Sequence, residues 1–309
     1  MSRPSIQRLT LGFDVKIPFA ILRGASEKPS VVILAGVHGD EYEGVAALHR
    51  MAEELDPARL KGTVTIAPVV NPQAFRAGLR RNPVDSADLN RTFPGDPHGS
   101  VSSRLARLIL DELIDGNDAM LSLHGWSKEA LVMPYGEYPL HDSEAGRLSK
   151  ACAYHLGFQF LHPYEWPEGV LGNSALEKGI AAVETEIGGQ GTITPEGQAL
   201  SRQIILRFLD FWKILPWEGA PLTVASSEVD HADCFAESAG LFESTLKIGD
   251  HVQAGAPLGT IRGWDGSLLE TITAPASGQV AILRTFASAQ PGDRLVQLFF
   301  PRLLGSGSG

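Results

Sequence analysis

The chain has 309 residues, 43% of them hydrophobic, which is enough for one large or two smaller cores. Its formal net charge of −10 argues against a nucleic-acid-binding surface. Because it has no apolar run near the roughly 20 residues that span a bilayer, no signal-peptide core and only two cysteines, we expect a cytoplasmic protein without membrane contact.

An apolar, β-branched run that predicts a buried strand is followed by G-V-H-G-D-E at 36–41. Asp40 is predicted to cap a helix over 41–55, which would place Glu41 in its first turn. His38 would lie at the exit of the strand, so that both side chains can reach one point at the carboxyl edge of a sheet. For this motif alone a structural interpretation stays open, in which Glu41 merely complements the helix dipole.

A strand predicted over 63–70 is followed by a long segment, 71–100, without apolar periodicity. Loops of this length are usually functional or disordered. Arginine can hold a carboxylate in a two-pronged contact, as an acidic substrate or a developing oxyanion would require. The alternative is that the loop arginines are solvated partners of nearby aspartates. We prefer that alternative for Arg76 and Arg81 and less for Arg80 and Arg91; the aspartates are Asp85, Asp88 and Asp96.

A helix near 100–114 precedes a second apolar run, which ends in His124 and Gly125. His124 should project from the same edge of the sheet as the first motif, because it also ends a strand. His38, Glu41 and His124 then form a set of two imidazoles and one carboxylate. Three such ligands suit a catalytic zinc ion, whose fourth position stays open, and we expect one ion per chain.

The segment 181–189 opens as a buried strand and carries two glutamates. The two-residue period of a strand points Glu184 and Glu186 to the same face. Glu186 lies nearer the carboxyl end, so we predict it as the general base, which takes a proton from the attacking water and gives it to the leaving nitrogen. Glu184 is the weaker candidate, and its alternative role is that of a buried, hydrogen-bonded group.

A strand at 130–133 and helices over 142–156 and 195–213 complete an alternating pattern. This pattern predicts an α/β fold with a mixed sheet flanked by helices, over residues 1–216. From 217 to 303 short β-like runs are broken by Gly and Pro, which predicts a small all-β domain. The tail at 304–309 has the composition of a flexible linker.

The segment 217–303 resembles a lipoyl/biotinyl-type barrel-sandwich module. A carrier version would need a lysine at a hairpin tip, but Lys247 is predicted to lie in a strand-like run and not at a turn. We therefore predict a non-carrier domain. His231 and His251 are assigned to surface or packing roles.

Taken together, five motifs resemble the succinylglutamate desuccinylase/aspartoacylase family, a branch of the zinc-carboxypeptidase-like hydrolases. Each is weak alone, but they occur in the family's order over most of residues 30–190. They are G-V-H-G-D-E at 36–41, N-P-Q-A-F at 71–75, D-L-N-R-T-F-P-G at 88–95, L-H-G at 123–125 and E-I-G-G at 186–189.

The resemblance implies a zinc-carboxypeptidase-like fold, with the metal ligands and the base named above. It further implies that Arg80 polarises the scissile carbonyl and that Asn90 and Arg91 hold a substrate carboxylate. The tandem Arg80-Arg81 leaves open which arginine takes the first role.

The leading hypothesis is a zinc-dependent deacylase of a small N-acylated amino acid, with no nucleic-acid or membrane partner; the oligomeric state stays open. One alternative is a metallocarboxypeptidase that acts on peptide C-termini. Another is a non-catalytic binding protein with a vestigial zinc pocket. The acyl group and the amino acid are not specified by the sequence.

Overall fold

The computed structural model describes residues 6–10, 15–222 and 225–302, and the predicted linker at 304–309 lies outside them. The described α-helices are α1 (Glu43–Glu54), α2 (Pro72–Ala77), α3 (Val101–Ile109), α4 (Glu144–Leu156), α5 (Leu171–Glu177) and α6 (Pro195–Phe211). The strands of the first part of the chain are β1 (Ile6–Thr10), β2 (Lys16–Arg23), β3 (Ser30–Ala35), β4 (Thr63–Ala67), β5 (Ala119–His124), β6 (Ala130–Pro139), β7 (Phe160–Tyr164) and β8 (Ala181–Gly189). Those of the last part are β9 (Ser227–Phe235), β10 (Gly240–Glu243), β11 (His251–Val252), β12 (Pro257–Arg262), β13 (Leu268–Thr273), β14 (Gly278–Arg284), β15 (Ser288–Ala289) and β16 (Arg294–Pro301).

The central sheet is mixed, and helices cover both of its faces, which confirms the predicted α/β class. Its strand order is β1-β2-β4-β3-β5-β8-β6-β7-β9-β16-β14-β11, and β4, β3, β5 and β8 run parallel in its middle. Alternate residues of β3 face opposite sides: Ile33 packs with Leu48 of α1, whereas Leu34 packs in the cluster of Leu105 of α3. Burial on both faces explains the unbroken apolar run in β3. Among the described residues, no helix is long and apolar enough to cross a membrane.

Strands from the last part of the chain continue the central sheet. β7 pairs with β9, β9 with β16, β16 with β14, and β14 returns to β6, which itself pairs with β7. These five strands form a closed ring, filled by Val132, Tyr135, Val229, Ile282 and Phe299 among others. A second sheet, β13-β12-β10-β15, packs its apolar face beside this ring. The segment after residue 216 is therefore hydrogen-bonded into the sheet that carries the candidate site.

Two local predictions are wrong. Helix α1 begins at Glu43, and its N-cap residue is Tyr42 without a side-chain cap, so Asp40 is not the cap and Glu41 precedes the helix. The reason is the buried Glu43 carboxylate, which accepts hydrogen bonds from Thr194 and Gln198 and fixes the helix start. Lys247 does not lie within a strand; it opens a turn that Asp250 closes.

The segment 71–100, here called the arginine loop, contains two regular elements that its lack of apolar periodicity concealed, helix α2 and a 3₁₀ turn at Leu89–Arg91. Asn71 caps α2 by accepting from the Ala74 N–H at 3.3 Å, Pro72 occupies the first turn, and Gly78 ends the helix with φ +60°. Helix α2 packs tightly under the first motif, because a Cβ on Gly39 would lie 2.0 Å from the Ala74 carbonyl carbon. The turn that carries His38 is thereby fixed between β3 and α2.

Candidate active site

The three predicted metal ligands meet at the carboxyl edge of β3 and β5. His38 and Glu41 lie in the loop between β3 and α1, and His124 is the last residue of β5, the parallel neighbour of β3. All three are buried. Gly125 allows the close packing here, since a Cβ would lie 2.6 Å from the Ile187 carbonyl oxygen. Its N–H donates to Glu41 Oε2 at 3.3 Å.

The Glu41 carboxylate lies between the two imidazole rings. Its Oε1 is 2.6 Å from His38 Nδ1, and its Oε2 is 3.0 Å from His124 Nδ1. One ligand atom from each residue falls within 4.8 Å of the others. Burial would raise the pKa of Glu41, but the His38 and His124 rings hold that pKa below its ordinary value. The carboxylate therefore stays ionised, as a metal ligand must.

The contacts of the Nε2 atoms of His38 and His124 show whether the three side chains could hold a metal ion. His38 Nε2 lies 3.2 Å from Asp88 Oδ1, and His124 Nε2 lies 3.0 Å from Ser122 Oγ. An N–H at each Nε2 satisfies these partners and leaves both Nδ1 lone pairs facing Glu41. Metal-bound histidines characteristically donate their other N–H in this way. The donor set fits a zinc ion with an open fourth position.

Both glutamates of β8 lie beside His124. In the parallel register with β5, Glu186 pairs with His124 and Glu184 pairs with Ser122. Glu186 is half-buried, and its Oε2 has no hydrogen-bond partner among the described residues. Burial, then the charges of Glu41 and Glu137, raise its pKa well above the ordinary value. Glu184 is buried further back, with Oε2 3.8 Å from His124 Nε2.

The tandem arginines point in different directions. Arg80 Nε donates to Asp88 Oδ2 at 3.0 Å, and its Nη1 lies 3.7 Å from Glu41 Oε1. Arg81 instead donates to the Ser86 carbonyl at 3.1 Å within the loop. The ligands are therefore in contact with Arg80. The aspartate pairing that we considered as an alternative also occurs, but it fixes Arg80 at the site.

Asn90 and Arg91 border the same cavity. Asn90 is buried, and its Oδ1 accepts from the Leu171 N–H at 2.8 Å, so its amide nitrogen remains to donate. Arg91 is exposed and donates to the Asn90 carbonyl at 2.6 Å. Arg76 lies on α2 with an exposed side chain.

Asp88 is a site residue that the sequence reasoning treated only as a counter-charge. It accepts from His38 Nε2, from Arg80 Nε and from the Asn90 N–H, at 3.2, 3.0 and 3.0 Å. The carboxylate thus connects His38, a predicted metal ligand, to the arginine loop. Its place two residues before Asn90, in D-L-N-R, was the available signal.

A cavity of about 1320 Å³ opens over these residues and is lined from both parts of the chain. The last part of the chain contributes, among others, His231, Phe235, Arg284, Phe286 and Arg294. His231 is exposed and packs against the His162 ring, as its assignment to a surface or packing role expects; it also lines the cavity, and its Nδ1 lies 3.0 Å from His162 Nε2. β7 and β9 are far apart in sequence, and their pairing brings His162 and His231 together. His251 is exposed on β11.

Comparison with known proteins gives consistent matches. The model of the succinylglutamate desuccinylase/aspartoacylase catalytic domain matches residues 27–212. The N-alpha-acetyl-L-2,4-diaminobutyric acid deacetylase of Halomonas elongata is 32% identical over 293 residues, which covers 91% of this chain and 84% of that protein.

Solved structures agree over nearly the whole chain. A succinylglutamate desuccinylase/aspartoacylase from Rhodobacter sphaeroides is 25% identical with a TM-score of 0.87, over 97% of this chain and 95% of that one. The product-bound ectoine utilization protein EutE (DoeB) from Ruegeria pomeroyi is 24% identical with a TM-score of 0.87, over 97% and 99% of the two chains. This last likeness concerns the fold.

Proposed function

The chain belongs to the succinylglutamate desuccinylase/aspartoacylase family, and from that premise we propose that it is a zinc-dependent deacylase of a small N-acylated amino acid. One observation carries the proposal: His38, Glu41 and His124 converge in a buried cluster, with Glu186 beside them and Arg80 in contact. The curated relative from Halomonas elongata, a deacetylase by name, supports an amidohydrolase.

His38 and His124 through Nδ1, with Glu41, would hold one zinc ion per chain. Zinc bound there would polarise the amide carbonyl and make the attacking water more acidic. Glu186 takes a proton from that water and delivers it to the leaving nitrogen, so that the C–N bond breaks to give a carboxylic acid and an amine. Its raised pKa suits a group that both accepts and returns a proton. Arg80 donates to the carbonyl oxygen as negative charge develops.

Asn90 and Arg91 bind the carboxylate of the amino-acid part. The Asn90 side chain is held by the Leu171 N–H, which leaves its NH2 group as a donor in a fixed position. Arg91 can add a two-pronged contact. Both residues line the cavity on the side of the arginine loop.

The cavity favours a small substrate over a peptide. Residues of β9, β14 and β16 line the cavity together with His38 and His124, and we infer that they restrict a chain that extends beyond the scissile amide. We therefore keep the metallocarboxypeptidase as the second candidate. A non-catalytic binding role is disfavoured because the proposed ligands, the base and both arginines are all present around one cavity.

We also propose that residues 217–303 act as a non-carrier module that completes the cavity, and that the protein works in a reducing, cytoplasmic setting. Cys152 and Cys234 are both buried and unpaired, which supports the latter. The turn that holds Lys247 lies between β10 and β11, which do not pair with each other, so Lys247 is not at a hairpin tip; the β12–β13 hairpin, at Gly263–Ser267, contains no lysine, and both facts support the former.

The test is a substrate panel with the zinc-loaded protein. N-acetyl and N-succinyl amino acids, with short peptides beside them, are incubated with the parent and with Glu186→Gln, and the released amine is measured. We expect N-acyl amino acids to be hydrolysed and the variant to be inactive. Hydrolysis of peptides alone would replace the proposal with the carboxypeptidase, and no hydrolysis of any amide would overturn both.

A further inference from the structure

Aromatic rings and guanidinium groups are stacked on each other where they line the cavity. The Arg294 guanidinium carbon lies 5.2 Å from the centroid of the Trp126 ring and 5.5 Å from that of the Phe235 ring. Arg284 and Phe286 form a second pair of this kind, at 5.8 Å. A cation within about 6 Å of a ring centroid is attracted to the aromatic face. These five side chains, all of which line the cavity, are here called the aromatic wall.

The aromatic wall is assembled from segments that are distant in sequence. Phe235 and Arg294 are paired in the register of β9 and β16, whereas Trp126 belongs to the loop between β5 and β6. The Phe286 N–H donates to the Glu129 carbonyl at 3.0 Å and so joins its own loop to that of Trp126. Sheet register and backbone hydrogen bonds therefore fix the wall in place.

Both guanidinium charges of the aromatic wall are compensated by aspartates. Arg294 Nε lies 2.9 Å from Asp233 Oδ1, and its Nη2 donates to Asp233 Oδ2 at 3.0 Å. Arg284 Nη2 lies 3.0 Å from Asp293 Oδ2. Charges of opposite sign at such short distances largely cancel for a third group. The wall therefore suits an apolar group better than an anionic one.

The aromatic wall begins beside the reacting groups. Trp126 follows the predicted metal ligand His124 by two residues. Burial raises the pKa of Tyr135, whereas the charge of Arg294 lowers it, so the guanidinium acts on the Tyr135 hydroxyl. Tyr135 is the strand neighbour of Glu186, the proposed base. A group bound to the wall would thus lie close to the scissile amide.

The space beside the aromatic wall is larger than an acetyl group needs. The cavity of about 1320 Å³ exceeds the roughly 300–1,000 Å³ of most small-molecule sites. Phe235 is 47% and Phe286 57% exposed, and apolar surface of this kind gains free energy when an apolar group covers it. Because Asn90 and Arg91 are assigned to the carboxylate of the amino-acid part, the wall is left for the acyl part.

We propose that Trp126, Phe235 and Arg294 form an acyl subsite, which takes a compact apolar acyl group larger than acetyl, such as an arylacetyl group. The aromatic faces cover the acyl group, and the Arg294–Asp233 pair keeps the subsite close to neutral. An acyl group that carries its own carboxylate is therefore disfavoured. This inference rests on the proposed deacylase function and narrows its substrate class.

The test varies the acyl group and keeps the amino acid constant. The kcat/KM of the zinc-loaded parent is measured on N-phenylacetyl-, N-acetyl- and N-succinyl-L-alanine. We expect the phenylacetyl compound to exceed both others by roughly tenfold or more. A parent that prefers the acetyl or the succinyl compound overturns the inference.

Phe235→Ala removes one aromatic face and should lower the ratio of phenylacetyl to acetyl kcat/KM about tenfold. Trp264→Ala is the matched control, because Trp264 is an aromatic residue, 93% exposed, that does not line the cavity. It should leave the ratio unchanged. Equal ratios in the parent and in Phe235→Ala overturn the assignment of the subsite.

Asp233→Asn tests the compensation of charge. The amide removes the negative charge that faces Arg294, so the wall becomes cationic. The kcat/KM on the succinyl compound should then rise about tenfold relative to the phenylacetyl compound. An unchanged ratio would show that the aspartate does not exclude anionic acyl groups. Thermal midpoints of all variants exclude misfolding.

A second substrate series separates the acyl group from the amino-acid side chain. N-acetyl-L-phenylalanine and N-acetyl-L-alanine differ only in the aromatic ring of the side chain. If Phe235→Ala lowers kcat/KM on the phenylalanine compound and not on N-phenylacetyl-L-alanine, the aromatic wall binds the side chain, and the acyl subsite is overturned.

Binding measurements separate failure of this inference from failure of the deacylase proposal. Calorimetry with phenylacetate, acetate and succinate requires no turnover. Tighter binding of phenylacetate to the zinc-loaded parent, weakened in Phe235→Ala, supports the acyl subsite even if no amide is cleaved. Equal binding of phenylacetate and acetate, or unchanged binding in Phe235→Ala, overturns it even if the protein deacylates N-acetyl amino acids.

Discussion

Replacing Asp88 by Asn should weaken zinc binding although Asp88 is not a ligand. The carboxylate accepts from His38 Nε2 and from Arg80 Nε on different oxygens. The amide that replaces it keeps one acceptor oxygen but turns an NH2 group toward the other donor. His38 then loses a fixed orientation, or Arg80 loses its partner. The variant thus changes the support of the site without removing a ligand.

The distances set the size of the effect. Groups that support metal ligands are typically worth 10- to 100-fold in metal affinity, which is about 1.4–2.8 kcal/mol. The His38–Asp88 contact of 3.2 Å is longer than the 2.7–2.9 Å of a strong charge-assisted hydrogen bond. We therefore expect the lower end of the range, a rise of about tenfold in the zinc dissociation constant. The release of Arg80 should lower kcat in addition.

The assay is competition for zinc against a fluorescent chelator, which needs no substrate. Asp96→Asn is the matched control, because Asp96 lies in the same loop, is exposed, and accepts from the His98 N–H away from the ligands. A zinc dissociation constant of Asp88→Asn within twofold of the parent would show that Asp88 does not position His38, and the reasoning from the outer ring nitrogens would fail.

Three further predictions concern the base, the arginines and the loop. Glu186→Gln should retain zinc while turnover falls by roughly two to four orders of magnitude. Metal analysis and single-turnover assays test this. If Glu184→Gln behaves in this way and Glu186→Gln stays active, Glu184 is the base. Arg91→Ala should raise KM roughly tenfold, an effect absent with a substrate amide in place of the carboxylate, whereas Arg80→Ala should lower kcat by about 10²–10³; steady-state kinetics on both substrates tests the division. Burial would raise the pKa of Asp85, but hydrogen bonds donated by Ser102 and Ser100 lower that pKa below 3.8. The ionised Asp85 therefore stabilises the fold above that pH, and this stabilisation is lost as the pH falls through the folded-state pKa. Asp85→Asn should therefore lower the free energy of unfolding at neutral pH, and denaturation curves should show this difference shrink as the pH falls below 3.8; a constant difference would contradict the prediction.

The convergence of His38, Glu41 and His124 could be predicted because it follows from local rules. His38 and His124 each end an apolar run, and parallel neighbours such as β3 and β5 bring their carboxyl ends to one edge. Nothing beyond strand period and strand exit was needed. The side-chain direction of Glu41 was also anticipated, although it comes from a loop and not from the first turn of α1.

The part of the cavity around His162 and His231 could not be predicted, because it depends on contacts between strands that are distant in sequence. β7 is short and carries His162 in its middle. It also includes Pro163, and a proline within such a short segment argues against a strand when only the neighbouring sequence is considered. Its partner β9 begins at Ser227, more than 60 residues later. The hydrogen bond between His162 and His231 arises only when that pairing forms. No periodicity in either segment indicates it.

The closed ring of β6, β7, β9, β16 and β14 has a consequence for where this chain can be divided. The match to the family's catalytic domain ends at residue 212, but β7 and part of β6 find their outer neighbours beyond that point. A fragment ending there would expose two rows of unpaired backbone N–H and C=O groups. Such edges recruit strands from other molecules, so the shortened protein should aggregate. The family match and the closed ring of strands therefore end at different residues.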